Sequence, residues 1–246
     1  MARTDYTTPR LCLDDDLRLG EAVALTADAA NYLLNVLRLK AQARVLVFNG
    51  RDGEYAAELG PVEKKRAALR LTRKLREQET PPPVDYLFAP LKHARLDYLA
   101  QKAVEMGARS LRPVITRRTQ AARVNLDRLA ANAREACEQC GIIWLPKIFA
   151  PQPLAAALAQ WPADRLMVFC DEDAAVANPL DALREAPDGG AGLLIGPEGG
   201  FDEEERAMIN AMPNVLRLSL GPRILRADTA AVAALALMQA RFGDWR

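Results

Sequence analysis

The sequence predicts an α/β protein in which a parallel-sheet domain follows a smaller β-rich domain. After residue 83, short apolar runs alternate with helical stretches, which is typical of strand–helix–strand units with a parallel sheet. Before residue 76, the runs alternate apolar and polar residues and are separated by turn residues. Between the two parts, three consecutive prolines (Pro81 to Pro83) favour an extended, semi-rigid linker. We therefore place one domain at residues 1–76 and a second at residues 77–246.

The first domain contains four runs with the composition of β-strands and one stretch with that of a helix. The turn signals Asn49-Gly50 and Asp52-Gly53 fall between two of the runs and favour a hairpin. The predicted helix is NYLLNVLRLK (Asn31 to Lys40). The predicted strands are EAVALT, ARVLVFNG, GEYAAEL and ALRLTRK.

The second domain contains five continuous apolar runs, the pattern of parallel strands that are buried on both faces. Helical stretches lie between these runs and after the last one. The predicted strands are VDYLFAP, RPVIT, RLMVFC, GLLIG and VLRLS. The predicted helices are LDYLAQKAVEMGA, VNLDRLAANAREACEQC, PLAAALAQ, DEEERAMINAM and DTAAVAALALMQARF.

The overall composition and the distribution of charge narrow the function. No apolar run is long enough for a membrane span and the N-terminus has no apolar signal region, so we expect a cytosolic, cytoplasmic protein. Residues 61–134 contain 17 Lys and Arg against 7 Asp and Glu, although the whole chain has 33 against 32. Such a segment favours a surface that faces a polyanion, although solvated helix faces carry similar runs of charge.

Cys137 and Cys140 form a C-x-x-C pair, which in other contexts binds zinc or carries redox chemistry. Neither a strand-to-helix redox context nor a second ligand pair accompanies it, and His93 is the only histidine. Two residues three positions apart share one face of a helix. We therefore interpret the pair as two small apolar side chains and expect no metal.

The stretch LIGPEGGFDEEE (Leu194 to Glu205) runs from an apolar strand through a glycine-rich turn into a helix. It matches neither the G-x-G-x-x-G fingerprint of dinucleotide sites nor a P-loop, because no Gly-Lys-Ser/Thr follows. Asp202 is placed as an N-cap, and Glu205 completes a capping-box pattern. The helix amides are then partly satisfied and the carboxylates repel phosphate, so the turn favours a neutral or cationic ligand. A tight strand-to-helix turn without a ligand is the alternative.

A second stretch, LSLGPRILRADTA (Leu218 to Ala230), also runs from a strand through glycine into a helix. It places Arg223 and Arg226 just ahead of an apolar helix that Asp228 or Thr229 can cap. Ligands of open α/β sheets bind at the carboxyl ends of the strands. We therefore expect the two turns to lie at the ends of neighbouring strands and to form one site.

GPEGGF followed by LSLGPRILRADTA resembles the signature of the SPOUT methyltransferases, and specifically of the ribosomal RNA small subunit methyltransferase E family. The resemblance covers nearly the whole chain. NYLLNVLRLKAQARVLVFNGRDGEYAAEL is similar to that family's N-terminal PUA-like β-barrel, KAVEMGA to its first catalytic-domain helix, and EACEQCGIIWLP to its A-x-E-Q-x-G segment. It implies a trefoil-knotted parallel-sheet catalytic domain, a rare exception to the usual rules of chain connection. It also implies a homodimer, S-adenosyl-L-methionine as the donor, and methylation of N3 of the uridine at position 1498 of 16S rRNA, within the small ribosomal subunit.

The resemblance gives roles to the residues of the two turns and of the basic segment. For the catalytic step, Arg226 is the first candidate and Arg223 the second for the cation that stabilises the deprotonated uracil. Asp228 or Glu198 is expected to accept the N3 proton or to orient an arginine. The residues expected to bind the donor are Gly196, Pro197, Glu198, Gly199, Gly200, Leu218, Ser219, Leu220, Gly221, Ile224, Leu225 and Thr229. The residues expected to contact RNA phosphates are Arg10, Arg38, Lys64, Lys65, Arg66, Arg117, Arg118 and Arg123.

Three positions depart from the pattern of that family. Asp228 stands where glutamate is usual, Ile142 where an arginine is common, and Asn31 where a histidine is common. Asp228 keeps the carboxylate, whereas the other two departures bear on individual RNA contacts. Two alternatives stay open, namely an RNA-binding or ribosome-assembly factor of this fold without turnover, and a methyltransferase that acts on tRNA.

Overall fold

The computed structural model of the protein describes residues 5, 7–62, 67–92, 94–121, 123–175 and 178–245. It divides into two units, residues 1–80 with 134–145 and residues 81–133 with 146–246. Each unit contains one main sheet. The domain boundary predicted after residue 76 stays a prediction.

The first unit is built on a five-stranded sheet. Its strands are β1 (Arg10–Cys12), β2 (Ala22–Ala24), β3 (Arg44–Phe48), β4 (Glu54–Leu59) and β5 (Ala68–Arg76). Their order is β1-β3-β4-β5-β2, with β1 parallel to β3 and the other pairs antiparallel. Fully buried Leu33, Val45 and Leu69 belong to its hydrophobic core. The four predicted strands are confirmed; β1 was not predicted, because three residues carry little periodic signal.

The predicted helix Asn31–Lys40 is only partly correct. Helix α1 (Ala27–Asn31) starts earlier, because the side chain of Thr26 caps it by accepting a backbone hydrogen bond from three residues ahead. The helix continues as a π-helical turn (Tyr32–Val36). It stops before Arg38, whose φ of +55° lies in the left-handed region. The last four residues of the predicted stretch therefore lie outside the helix.

The second unit is built on a seven-stranded sheet whose pairings are all parallel among the described residues. Its strands are β6 (Val84–Phe88), β7 (Ser110–Ile115), β8 (Lys147–Ile148), β9 (Gln152–Pro153), β10 (Leu166–Cys170), β11 (Ala191–Ile195) and β12 (Val215–Leu218). Their order is β12-β10-β11-β6-β7-β8, and β9 pairs with β7. The parallel sheet and its five longer strands are confirmed. The two-residue strands β8 and β9 were not predicted.

Helices pack on this sheet and bury its central strands. The helices of the chain after residue 83 are α2 (Ala94–Glu105), α3 (Leu126–Cys140), α4 (Leu154–Ala159), α5 (Pro179–Arg184), α6 (Glu203–Asn210) and α7 (Ala227–Phe242). Every residue of β6 and β11 is buried, which explains their continuous apolar runs. From the edge strand β12 the chain returns as α7, which packs against β11, β6 and α2. The predicted helices are confirmed with small differences at their ends, whereas α5 was not predicted.

Candidate active site

Two glycine-containing turns leave the carboxyl end of the second sheet, one after β11 and the other after β12. The two strands are not neighbours, because β10 lies between them and pairs with both. The expectation of neighbouring strands is therefore wrong, since the crossover through α6 skips one strand. The chain that follows β10 consequently starts between the two turns.

The first turn has a conformation that requires glycine at two positions. Gly200 donates its N–H to the carbonyl oxygen of Pro197 over 2.9 Å. Its φ of +69° lies in the left-handed region that favours glycine. A Cβ atom on Gly196 would lie 2.5 Å from the ring of Phe201. That ring is buried and packs edge-on against Phe169, with 5.2 Å between the centroids, so the turn is held close to the core.

Three of the four carboxylates at the start of α6, those of Asp202, Glu204 and Glu205, have partners within the protein. Asp202 accepts a hydrogen bond from the backbone of Glu205 over 2.8 Å, and Glu205 accepts one from the backbone of Asp202 over 3.2 Å, which confirms the predicted capping box. Arg117 lies 3.0 Å from Asp202 and also pairs with Glu204. The backbone hydrogen bond from Glu205 and the charge of Arg117 lower the pKa of Asp202. The start of α6 therefore offers a phosphate few unoccupied donors.

The second turn presents two arginines and an isoleucine to solvent. Arg223 and Arg226 are exposed, and neither has an ion pair among the described residues. Ile224 is 96% exposed, whereas Leu218 is buried. Gly221 has a φ of +100°, which favours glycine. Of the other residues expected to hold the donor, Pro197 and Ser219 are buried, Leu220 and Leu225 are half-buried, and Glu198, Gly199 and Thr229 are exposed.

Helix α7 begins one residue earlier than its sequence suggests. Arg226 is the N-cap residue and its side chain makes no capping hydrogen bond. The expectation that Asp228 or Thr229 caps the helix is therefore wrong. Asp228 lies in the first turn, where it accepts a hydrogen bond from the backbone of Thr229 over 2.9 Å. A carboxylate at this position interacts favourably with the helix dipole.

Arg95, which the sequence did not single out, joins the two turns. It is the second residue of α2 and pairs with Glu198 of the first turn. Its Nε lies 3.6 Å from Oδ2 of Asp228 at the start of α7. The structure thus brings two of the four expected catalytic residues together around one guanidinium. The available signal was the place of Arg95 shortly after a strand end, the edge at which parallel sheets bind ligands.

A second unexpected cluster lies at the end of β10. Asp171 is 3% exposed and accepts hydrogen bonds from Nη2 and Nε of Arg217 over 2.6 and 2.9 Å. It also pairs with Arg206 of α6. Asp171 therefore ties the middle strand both to the helix that follows the first turn and to the strand that precedes the second. In the sequence, the feature that could have indicated this cluster is the aspartate directly after the apolar run RLMVFC.

Two groups near these strands, half-buried Cys170 and buried Tyr86, are neutral at pH 7. Burial, with the charge of Asp171, raises the pKa of the Cys170 thiol to about 12. Burial also raises the pKa of Tyr86 well above its usual value, with contributions from negative charge at Cys170 and Asp228. The Tyr86 hydroxyl has no hydrogen-bond partner among the described residues. Because the thiolate is the nucleophilic form, Cys170 is not activated for attack.

Arg10 does not face solvent. It is 7% exposed, and its Nε lies 2.7 Å from Oε1 of Glu54. Arg76 pairs with the other oxygen of the same carboxylate at 2.9 Å. A buried and paired guanidinium cannot reach a phosphate without leaving an uncompensated charge behind. We therefore withdraw Arg10 from the RNA-binding set and regard it as structural.

The other residues expected to contact RNA differ in their surroundings. Arg38 and Arg123 are exposed, and neither has an ion pair in the described part of the chain. Arg117 is 61% exposed at its side chain but is paired with the carboxylates of α6. Arg118 is exposed and donates a hydrogen bond to the carbonyl oxygen of Gly199 over 2.7 Å. Lys64, Lys65 and Arg66 lie outside the described residues.

The C-x-x-C pair differs in exposure, and two positions that depart from the family pattern, Asn31 and Ile142, lie in the described part of the chain. Cys137 is buried on α3 and Cys140 is exposed. No group of three or more His, Cys, Asp and Glu side chains able to hold a metal occurs among the described residues. Asn31 is exposed and accepts a hydrogen bond from Asn35 over 2.7 Å, and Ile142 is half-buried. Within the described ranges, no helix has the length and apolar character needed to span a membrane.

Sequence comparison relates both parts of the chain to known families. The profile of the RNA methyltransferase domain matches residues 78–239, and that of the RNA methyltransferase PUA domain matches residues 25–72. A ribosomal RNA small subunit methyltransferase E from Rickettsia conorii is 29% identical over 229 residues, which cover 92% of this chain and 93% of that protein. The protein of the same name from Buchnera aphidicola is 28% identical over 255 residues, covering 97% and 95%.

Solved structures resemble the whole chain. A ribosomal RNA small subunit methyltransferase E from Neisseria gonorrhoeae, bound to S-adenosyl methionine, has a TM-score of 0.88 at 29% identity and covers 97% of this chain and 100% of its own. A methyltransferase from Legionella pneumophila with bound cofactor SAM has a TM-score of 0.81 at 28% identity, covering 95% and 97%. These likenesses confirm the expected α/β fold class, a SPOUT-type parallel-sheet domain preceded by a PUA domain. The trefoil knot stays a prediction.

Proposed function

This chain belongs to the family of RNA methyltransferases, and from that membership we propose that it methylates N3 of a uridine in 16S rRNA, with S-adenosyl-L-methionine as the donor. The observation that carries the proposal is the convergence of Glu198 and Asp228 on Arg95 at the carboxyl edge of the sheet. Relatives named ribosomal RNA small subunit methyltransferase E match more than nine-tenths of the chain, which supports the choice of rRNA. The uridine at position 1498 is the target that the sequence resemblance implies.

The first turn suits a cationic donor without phosphate. S-adenosyl-L-methionine carries a sulfonium cation and an adenine, and a carboxylate such as Glu198, 44% exposed, tolerates that charge. The amides at the start of α6 are already used by the capping box. Buried Pro197 and the exposed backbone of Gly199 in the first turn, with buried Leu218 ahead of the second, give the mixture of apolar walls and polar backbone that cofactor sites use. Two similar proteins bind this donor in their solved structures, which supports the fit.

The catalytic roles follow from the chemistry of the acceptor. When bound, the donor supplies an electrophilic methyl group, whereas the uracil N3 must lose its imide proton before its lone pair can attack. We assign Arg226, and after it Arg223, to the negative charge that then spreads onto the ring oxygens, because both guanidinium groups are exposed. Asp228 and Glu198 are the candidates for accepting the proton or orienting an arginine. Arg95 holds both carboxylates in place.

The substrate must present an accessible base. Uracil N3 lies on the Watson–Crick edge, so the target has to be unpaired or splayed out to react. Arg38, Arg117, Arg118 and Arg123 are the described residues that we assign to phosphate contacts, which position RNA without reading its sequence. We assign Lys64, Lys65 and Arg66 to the same role from sequence. Assembled small ribosomal subunits are the proposed substrate.

We also propose that the protein is a homodimer that acts in the cytoplasm. The homodimer is what the family resemblance implies, and the 96% exposed side chain of Ile224 is available to a second copy of the chain. Light scattering of the purified protein should give twice the chain mass of 27.0 kDa. A mass of one chain at micromolar concentration would contradict the dimer.

The proposal is tested by mapping the modification and by separating binding from transfer. The 16S rRNA of cells that lack the gene should lose one methyl group by mass mapping, and purified protein should restore it on small subunits. A methyl group missing from tRNA alone would overturn the rRNA assignment. In calorimetry, the absence of donor binding would instead favour an RNA-binding factor without turnover.

The role of Arg226 has its own test. Arg226→Ala should leave the Kd for the donor nearly unchanged and lower kcat by about 100-fold or more, because removal of one charge-stabilising donor typically costs about 3 kcal/mol in the transition state. Single-turnover kinetics and calorimetry separate the two quantities. Equal losses in donor binding and in transfer would show that Arg226 serves the donor rather than the uracil.

A further inference from the structure

The second unit contains a cleft from which the proposed function uses only Arg123, as a phosphate contact. Its volume is about 820 Å³, and it lies between the chain that follows β6, the chain that follows β7 and the start of α3. A smaller cavity of about 100 Å³ reaches Arg95 and Glu198. The cleft and the cavity share Leu91, Lys92 and Gln120, so the cleft adjoins the site at which the carboxylates converge.

The charged side chains of the cleft favour an anionic occupant. Three cations, Lys92, Arg123 and Arg128, line it together with one carboxylate, Asp97. Arg128 is paired with Asp97, its Nε lying 2.8 Å from the carboxylate. Lys92 and Arg123 are exposed, and the described residues provide neither with an ion pair. Two positive charges therefore remain for a ligand.

The other lining residues suit the base of a nucleotide. Half-buried Leu96 and Val124, together with buried Leu129, line the cleft and offer an apolar surface against which a ring can pack. Gln120 is exposed, and its side chain has no hydrogen-bond partner among the described residues. Asn125 uses its oxygen to accept a hydrogen bond from a backbone amide of α3 over 3.0 Å, which leaves its NH₂ group as a donor. Amide side chains beside an apolar surface can read the edge of a base.

We propose that the cleft binds the nucleotide next to the target uridine, in single-stranded RNA. Lys92 and Arg123 hold its phosphate, and Leu96 and Val124 contact its base. Gln120, which lines both spaces, lies where the chain of the RNA passes from the cleft to the reacting base. The inference rests on the proposed function, since it assumes an RNA substrate at the adjoining site.

The test compares two variants of the cleft with a matched surface variant. Arg123→Glu reverses one unpaired charge, Val124→Trp fills the apolar surface, and Arg184→Glu reverses a 76% exposed arginine of α5 that does not line the cleft. We expect both cleft variants to raise the Kd and KM for small subunits about tenfold or more. The Kd for the donor should not change, and Arg184→Glu should behave as wild type. Urea unfolding shows that the variants are folded.

A photo-reactive 4-thiouridine beside the target uridine locates the contact directly. Cross-links to the peptide that contains Val124 would support the inference, and cross-links confined to other peptides would overturn it. Unchanged RNA binding by both cleft variants would also overturn the inference. A change of oligomeric mass in Arg123→Glu would overturn it too, because it would identify a second copy of the chain as the occupant of the cleft. If wild-type protein binds the RNA and cross-links at the cleft but transfers no methyl group, the proposed function fails and the cleft assignment stands.

Discussion

Replacing Gly196 by alanine places one methyl group against the ring of Phe201. The new Cβ atom would lie 2.5, 2.9 and 3.0 Å from three ring carbons, whereas unstrained carbon atoms keep about 3.5 Å or more apart. The ring is 3% exposed and packs against Phe169, so the turn has to move by about 1 Å instead. Overpacking of this kind costs about 1–3 kcal/mol.

The change should be visible in both stability and donor binding. For a domain of this size, each kcal/mol lowers the Tm by about 2–4 °C. If the displaced turn loses one backbone hydrogen bond to the donor, about 1 kcal/mol, the Kd rises about fivefold. Thermal unfolding without the donor and calorimetry with it measure the two effects separately. In a double variant with Phe201→Leu the losses should be less than additive, because the smaller side chain relieves the clash.

Gly199→Ala is the matched control in the same turn. Its Cβ atom would meet only the flexible side chain of Arg118, at 3.4 Å, so the Tm should change by little. If Gly196→Ala has the same Tm and the same Kd for the donor as Gly199→Ala, the contact with Phe201 does not hold the first turn in place.

Three further substitutions test the second unit. Asp85→Asn should lower the free energy of unfolding by about 3 kcal/mol at pH 7, because Arg109 and Arg165 lose their shared, 2% exposed carboxylate. Burial raises the pKa of Asp85, but the hydrogen bond from Arg109 and the charge of Arg165 outweigh burial and lower that pKa below 3.8. The carboxylate therefore stabilises the folded protein above about pH 4. In urea unfolding, the difference between Asp85→Asn and wild type should persist there and shrink as the pH falls through the lowered pKa. Tyr86→Phe should leave the Tm unchanged or raise stability by up to about 1 kcal/mol, since the hydroxyl has no partner among the described residues, and a clear loss would contradict this. Asp171→Asn should weaken donor binding in calorimetry about tenfold by releasing α6 and β12, and an unchanged Kd would show that the cluster does not shape the site.

Local patterns in the sequence predicted most of the elements. The capping box of Asp202 and Glu205 is a contact over three residues, so its signal is contained in one short stretch. The buried strands of the second sheet were recognisable because two covered faces require continuous apolar runs. The early start of α1 depends on one side chain, Thr26, whose capping bond is also local but which lay outside the predicted stretch.

Contacts between distant parts of the chain could not be predicted in this way. Hydrogen-bond pairing across the sheet decides that β10 lies between β11 and β12. The hydrophobic pattern of a strand does not show which strands will be its neighbours. Arg95 reaches carboxylates that lie more than a hundred residues away in sequence. Its place shortly after a strand end is compatible with a ligand site but does not indicate these partners. Arg10 looked like an ordinary basic residue because the partner that buries its charge, Glu54, lies on another strand.

The return of α7 from the edge of the sheet has a consequence for synthesis. Arg95 and Asp228 lie more than a hundred residues apart in sequence, so their meeting point exists only after α7 has left the ribosome and crossed the sheet. Closing so long a loop is entropically costly and slow compared with forming local helices. A nascent chain that stops before α7 can therefore fold its first sheet and yet have no affinity for a methyl donor, which makes donor binding a readout of whether α7 has been made and has packed.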